Sequence, residues 1–82
     1  MMQARVLFFG KLKEIAGGPE RSVEFHPGET IAELFERCAS QKPELAPFRS
    51  SVVASRNQEF APWATVLESG DEVAFLPPVS GG

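Results

Sequence analysis

One helix dictates the rest of this chain. Thr30 is followed three residues later by Glu33, the reciprocal capping pair that opens a helix. Behind it, Ile31, Leu34, Phe35 and Cys38 fall at i, i+3, i+4 and i+7, which makes a single apolar stripe. The polar run Ser40-Gln41-Lys42 and then Pro43 close the segment, because a proline disfavours helix in the residue before it. The spacing predicts a helix over Ile31–Gln41. A helix with one apolar stripe must bury that stripe against another layer, and the segments on both sides of it read as strands.

Residues 3–9, Gln-Ala-Arg-Val-Leu-Phe-Phe, are rich in strand formers and bounded by Gly10. Their four successive apolar residues predict a central strand with both faces partly covered. Leu12, Ile15 and Ala16 then fit one or two helical turns, ended by Gly17-Gly18-Pro19. Residues 20–25 alternate, with Val23 and Phe25 on one side and Ser22 and Glu24 on the other. That pattern is a half-buried strand, the hairpin partner of the first. His26-Pro27-Gly28 is a turn.

Beyond the helix, residues 44–48 read as a loop or short helical turn under the sheet edge, and 52–56 as a short strand. Asn57-Gln58 has turn character. Phe60 and Trp63 flank Pro62 in an irregular stretch, residues 65–67 are briefly extended, Ser69-Gly70-Asp71 is a turn, and 72–76 is the last strand. A helix joining two strand pairs covers one sheet face and gives an α+β layer. Right-handed crossover lets the first and last strands, the most apolar ones, lie parallel at the centre. This is the β-grasp arrangement: a mixed sheet with one main helix across one face.

The chain closes on Leu76-Pro77-Pro78-Val79-Ser80-Gly81-Gly82. The prolines donate no backbone hydrogen bond and fix φ, so the last strand stops at Leu76 and the exit is stiff. The expected division is a β-grasp domain over residues 1–76 and an extended tail over 77–82. Residues 79–82 carry too little apolar surface to pack, and four extended residues reach roughly 13 Å. Glycines without Cβ pass where a side chain would jam. A frayed end is the plainer reading of Ser-Gly-Gly, but the Pro pair speaks against it. An uncrowded terminal carboxylate can be activated as a mixed anhydride and attacked by a bulky nucleophile.

Composition narrows the function. The chain has 82 residues, enough for one small domain. Its 43% hydrophobic and 23% charged residues are ordinary for a soluble globular protein. No apolar run approaches the ~20 residues that span a bilayer, and Met1-Met2-Gln3-Ala4-Arg5 does not read as a signal peptide. The cytoplasm is the expected location. The single cysteine, Cys38, forms no internal disulfide and excludes a cluster that needs about four Cys ligands. A net charge of −3 without a basic block argues against nucleic acid and anionic membrane, and for a basic surface on another protein.

No catalytic constellation, phosphate loop or metal-ligand spacing is present in the sequence. His26 reads as a surface turn residue, and Cys38, on the apolar stripe, as a small buried hydrophobe. The acidic residues are scattered and expected to be solvated for the most part; Glu68, Asp71 and Glu72 cluster where they could face a basic partner. Phe8, Phe25, Phe35 and Trp63 are expected in the core. Phe9, Phe60 and Leu76 fit either the core or an exposed partner patch, and their place at strand ends and a turn marks them as partner-binding candidates near the tail's exit.

The stretches Val6-Leu7-Phe8-Phe9-Gly10 with Leu12-Lys13-Glu14, Ser55-Arg56-Asn57-Gln58, and Gly70 through Gly82 resemble the small subunit of molybdopterin synthase over almost the whole chain. The C-terminal run is the specific part. The resemblance implies a ubiquitin-like sulfur carrier in a heterotetrameric synthase. It implies that Gly82 is adenylated by a ubiquitin-activating-like enzyme and converted to a thiocarboxylate by a sulfur donor protein. The tail then enters the large subunit's active site, with Gly81 threading the channel, and gives its sulfur to cyclic pyranopterin monophosphate. On this reading the chain is not an enzyme by itself and binds no cofactor or metal, while the activating enzyme uses ATP. Leu76 stands where family members often have Phe, and Gly10 where they often have Ala. A sulfur carrier for thiazole synthesis or a ubiquitin-related modifier shares Gly-Gly and the fold. A β-grasp module that only binds, for example to RNA, is the more distant alternative, and the acidic balance speaks against it.

Overall fold

The computed structural model describes residues 2–77; the expectations for Gly81 and Gly82 lie outside them. The chain runs β1 (Met2–Phe8), α1 (Lys11–Ala16), β2 (Glu20–Phe25), α2 (Ile31–Gln41), a 3₁₀ helix (Pro43–Phe48), β3 (Val53–Arg56), β4 (Glu59–Phe60) and β5 (Glu72–Leu76). The strands form one mixed sheet in the order β2-β1-β5-β3-β4. At its centre β1 and β5 run parallel, with Val6 opposite Val73, Leu7 opposite Ala74 and Phe8 opposite Phe75. β2 and β3 flank them antiparallel. This is the expected β-grasp layer.

α2 forms where its cap and stripe place it. Thr30 Oγ1 accepts from the Glu33 N–H at 3.2 Å, and Glu33 Oε1 accepts from the Thr30 N–H at 2.9 Å. Two orphan donors at the helix start are thereby satisfied. Ile31, Leu34, Phe35 and Cys38 are all buried. They pack with Ala4, Val6 and Phe8 of β1 and Val73 and Phe75 of β5 in one core. Phe35 meets Phe75 edge-on with ring centroids 4.9 Å apart, and Trp63 stacks on Phe75 at 5.9 Å. Such aromatic pairs add about 0.5–1.5 kcal/mol beyond the area they bury.

Several details depart from the sequence reading. β1 ends at Phe8 rather than Phe9, because Gly10 turns the chain into α1. The partial cover expected on both faces is uneven along the four-residue apolar run: Val6 and Phe8 are buried, Leu7 is half-buried and Phe9 is exposed. Among the described residues the helices cover one face of the sheet and leave the opposite face open. The stretch around Phe60 is not wholly irregular. Asn57 and Gln58, both at positive φ, make a tight two-residue turn that returns Glu59–Phe60 along β3 as β4. Residues 65–67 contribute only a bridge from Val66 to Thr30.

Two of the acidic residues, most of which were expected in solvent, are buried. Glu29 is fully enclosed, with its carboxylate accepting from Arg37 Nε at 2.8 Å and from the His26 N–H at 3.2 Å. Arg37 also donates to the Glu24 carbonyl, which ties β2, the following turn and α2 together. Asp71 is buried too, accepting from the Glu68 N–H at 2.8 Å and from Asn57 Nδ2 at 3.1 Å. Asn57 Oδ1 in turn accepts from the Glu72 N–H at 3.0 Å. Asp71 therefore serves two turns and does not face a partner. A buried carboxylate survives only when it is hydrogen-bonded, and each of these two carboxylates has both of its oxygens engaged. Among the described residues no helix is long and apolar enough to cross a membrane.

Candidate docking face and tail exit

Residues directly opposite one another in a sheet share a face, and faces alternate along each strand. Val6, Phe8, Val73, Phe75 and Ala54 lie under α2. Their neighbours therefore line the open face. Leu7 pairs with Ala74, Ala74 with Ser55, and Ser55 with Phe60. One step nearer the end of β5, Leu76 pairs with Val53. Phe9 extends the β1 side of this row, its N–H bonded to the Phe75 carbonyl at 3.3 Å.

The result is an apolar surface on an acidic domain. Leu7, Phe9, Ala74 and Leu76 floor one shallow depression, edged by Ser55, Gln58 and Glu72. A second wraps the β3–β4 edge of the sheet, lined by Val53 and Phe60 together with Ala61, Pro62 and the core-side Ala54 and Trp63. Phe9 is 45% exposed, Val53 48% and Phe60 80%. Rings and branched chains left this open on a small domain mark a surface made to be covered.

Of the three partner-binding candidates, Phe9 and Leu76 lie in the same depression, with Leu76 half-buried. Phe60 sits in the neighbouring one, reached through Val53. Leu7, Val53 and Ala74 were not singled out from sequence. The alternation Ala4-Arg5-Val6-Leu7-Phe8-Phe9 carried the signal for Leu7, once the face under the helix is known. For Val53 the signal is its place beside buried Ala54.

The remaining candidates fall elsewhere. His26 is exposed in its turn, its Nδ1 3.2 Å from Glu29 Oε1. Cys38 is buried under α2, and that burial pushes its thiol above the ordinary value, which disfavours the nucleophilic thiolate. Among the described residues no group of three or more His, Cys, Asp or Glu is placed to hold a metal ion. At the central end of the sheet, Pro77 leaves β5 next to Gly10, on the same end as Phe9 and Leu76. The geometry thus brings an exposed apolar face and Pro77, the first residue past β5, to one end of the sheet.

Comparison with known proteins matches the ThiS family over residues 6–82. The molybdopterin synthase sulfur carrier subunit of Mycobacterium tuberculosis is 37% identical over 83 residues, covering 100% of both chains. Among solved structures, small archaeal modifier protein 1 of Methanosarcina acetivorans superposes with a TM-score of 0.84 at 26% identity, covering 100% of this chain and 98% of that one. A protein–protein complex of subunits 1 and 2 of the molybdopterin-converting factor of Helicobacter pylori includes a chain that matches with a TM-score of 0.70 at 26% identity, over 99% of this chain and 100% of that one. The full-length likeness in sequence and the shared β-grasp sheet agree: this chain belongs to the ThiS family of ubiquitin-like sulfur carriers, alongside the molybdopterin synthase sulfur carrier subunits.

Proposed function

We propose that this chain is the sulfur carrier subunit of a molybdopterin synthase. The observation that carries the reading is its likeness, from end to end, to sulfur carrier subunits of that enzyme. The open apolar face beside the exit of β5 supports it, because a carrier must be gripped by its body while its end reacts elsewhere. The Helicobacter pylori complex supports the large subunit as the partner that grips it.

The chemistry assigned to the tail follows from a bare glycine carboxylate. One oxygen of the Gly82 carboxylate attacks the α-phosphorus of ATP on the activating enzyme; pyrophosphate leaves and an acyl adenylate forms. A persulfide sulfur of the donor protein then attacks the acyl carbon and AMP leaves; a thiol reduces the resulting acyl disulfide, breaking the bond to the donor, so that one carboxylate oxygen is replaced by sulfur. The thiocarboxylate sulfur next attacks a side-chain carbon of cyclic pyranopterin monophosphate in the large subunit and displaces an oxygen substituent from it, and hydrolysis of the acyl–sulfur bond leaves the sulfur on the pterin and returns the Gly82 carboxylate. In this scheme Gly81 threads the channel, and Phe9, Phe60 and Leu76 dock on the large subunit. The chain contributes the reacting group, and the acids and bases belong to its partners, so it is not an enzyme by itself and holds no cofactor of its own. A single buried thiol, Cys38, fits a reducing, cytoplasmic setting.

Intact mass tests the reading. After incubation with activating enzyme, ATP and sulfur donor, the chain should gain the mass of sulfur in place of one oxygen, located on Gly82. No such gain would refute it. The likeness to an archaeal modifier protein favours one second reading, in which Gly82 is joined to a lysine. Isopeptide-linked species in the same reaction would support that reading instead.

A further inference from the structure

Among the described residues β2 is the last strand on its side of the sheet, paired with β1 alone. In an antiparallel pair, residues alternate between bonding to the neighbouring strand and pointing away from it. The Phe8 N–H donates to the Pro19 carbonyl at 2.9 Å. By the register, Arg21, Val23 and Phe25 then bond to β1, and Glu20, Ser22 and Glu24 turn their backbone outward. The Glu24 carbonyl agrees with this phase, because Arg37 donates to it from the outer side. The amide and carbonyl of Ser22 and the amide of Glu24 face outward with no strand beside them.

This edge forms one wall of a groove, and α2 forms the other. Arg21, Val23, Cys38 and Gln41 line one end. Met2, Phe25 and Pro27 make an apolar hollow at the other end. Glu24 and Arg37 belong to both ends, so the groove runs on along β2. Its two arginines keep donors in reserve. Arg21 donates one bond, at 3.2 Å, to the neutral amide of Gln41. Arg37 uses Nε on Glu29 and one terminal nitrogen on the Glu24 carbonyl. A guanidinium has five N–H groups, so neither is exhausted. On a chain of net charge −3, two arginines along one groove favour a negative occupant. A second copy of the chain fits poorly: two β2 edges paired antiparallel about Ser22 would set Glu20 of each copy against Glu24 of the other.

We propose that this groove takes an extended peptide segment of a partner protein, one that carries aliphatic residues next to acidic ones. The segment adds a strand to β2 through the outward amide and carbonyl of Ser22. An aliphatic side chain fills the hollow of Met2, Phe25 and Pro27, and carboxylates meet Arg21 and Arg37. The groove lies at the opposite edge of the sheet from β4. A segment bound here leaves Phe60 uncovered, and the proposal stands apart from the sulfur chemistry of Gly82.

The test uses the full chain and a labelled peptide, Ile-Val-Ile-Asp-Glu-Glu, together with its reversed sequence so that both strand directions are offered. Fluorescence anisotropy should show saturable binding of one of them, and at least about tenfold weaker binding when Lys replaces each acid. Arg21→Glu should weaken the acidic peptide about tenfold or more, whereas Lys13→Glu, the same charge change on α1, should stay within about twofold. Ser22→Pro removes an outward N–H and no bond to β1, a change that an edge strand accepts, and it should weaken binding about tenfold. If that variant fails to fold, Arg21→Glu decides the matter. On titration the amide resonances of Ser22 and Glu24 should shift. Shifts confined to Leu7 and Ala74 would move the peptide to the open face and overturn the proposal. Equal binding of the acidic and lysine peptides, or native affinity in Arg21→Glu, would overturn it as well. No saturation with any peptide up to ~1 mM would mean that Arg21 and Arg37 only guard an exposed edge.

Discussion

Val53 on β3 stands directly across from Leu76 on β5, and that pairing turns two depressions into one apolar surface. On one side of it lie Leu7, Phe9 and Ala74; on the other lies Phe60. The sheet has five strands but a single long helix to cover them. The face left bare is consequently the one available to a partner.

Phe60 is the candidate anchor on that surface easiest to test, being the most exposed of its large apolar residues. Phe60→Asp should weaken binding to the large subunit by about tenfold or more, as expected for an aromatic anchor. Folding stability should stay within about 0.5 kcal/mol, since little is buried there. Val66→Asp is the control: Val66 is also exposed but bridges to Thr30, away from this face. Titration calorimetry that showed equal losses for both variants, or none for Phe60→Asp, would remove Phe60 from the interface.

Glu29 and Arg37 make a different kind of prediction, about the scaffold. Arg37→Ala leaves a fully enclosed carboxylate with the His26 N–H but without its cation. The expected cost is about 2–4 kcal/mol, at the lower end for such pairs because the Arg37 side chain is half exposed. Replacing both partners, as Glu29→Leu with Arg37→Met, should cost less than the single change, since no charge is stranded. Urea denaturation that ranked the double variant as the less stable of the two would contradict this account.

The Asn57-Gln58 turn is improvable. Gln58 adopts φ 73° with a side chain that disfavours it. Gln58→Gly should raise stability by about 0.4–1 kcal/mol, because Asn-Gly is the preferred pair for a two-residue turn of this twist. Asn57→Ala should lower it, through both the positive φ and the lost bonds to Asp71 and the Glu72 N–H. A lower melting temperature for Gln58→Gly would mean that its side chain contributes more to the edge of the docking face than the turn costs.

What could be read from sequence was what is local. The capping pair Thr30 and Glu33 and the stripe from Ile31 to Cys38 lie within one short window, so α2 was legible to the residue. The pairing of β1 with β5 followed because both are apolar and one crossover hand is allowed. β4 was not legible: two residues make no periodic signal, and its existence depends on pairing with Ser55 and Arg56. Nor was the burial of Glu29 and Asp71, because partners eight and fourteen residues away, Arg37 and Asn57, make it tolerable. The run Val6-Leu7-Phe8-Phe9 read as partly covered on both sides; the position of the helices shows which residues face outward, Leu7 half-buried and Phe9 exposed. The docking candidates Phe9 and Leu76 were named from strand ends, while Val53, which links them to Phe60, needed the register. The chemistry proposed for Gly82 rests on resemblance and on a bare terminal carboxylate, not on any constellation of side chains.

The chemistry assigned to Gly82 depends on position at the chain end more than on composition. One Ala added after Gly82 should leave the fold untouched, since the core is complete within β1 to β5. It moves the carboxylate by about 3.5 Å and sets a Cβ beside the acyl carbon. A displacement of ~1 Å at a reacting group can cost roughly a hundredfold in rate. The extended chain should therefore melt like the native one and bind the large subunit as tightly, yet acquire little thiocarboxylate and support little molybdopterin synthesis. Intact mass and calorimetry on the same preparation read both halves. If the extended chain took up sulfur as fast as the native chain, the carboxylate of Gly82 would not be the reacting group, and residues 77–82 would act only as a spacer.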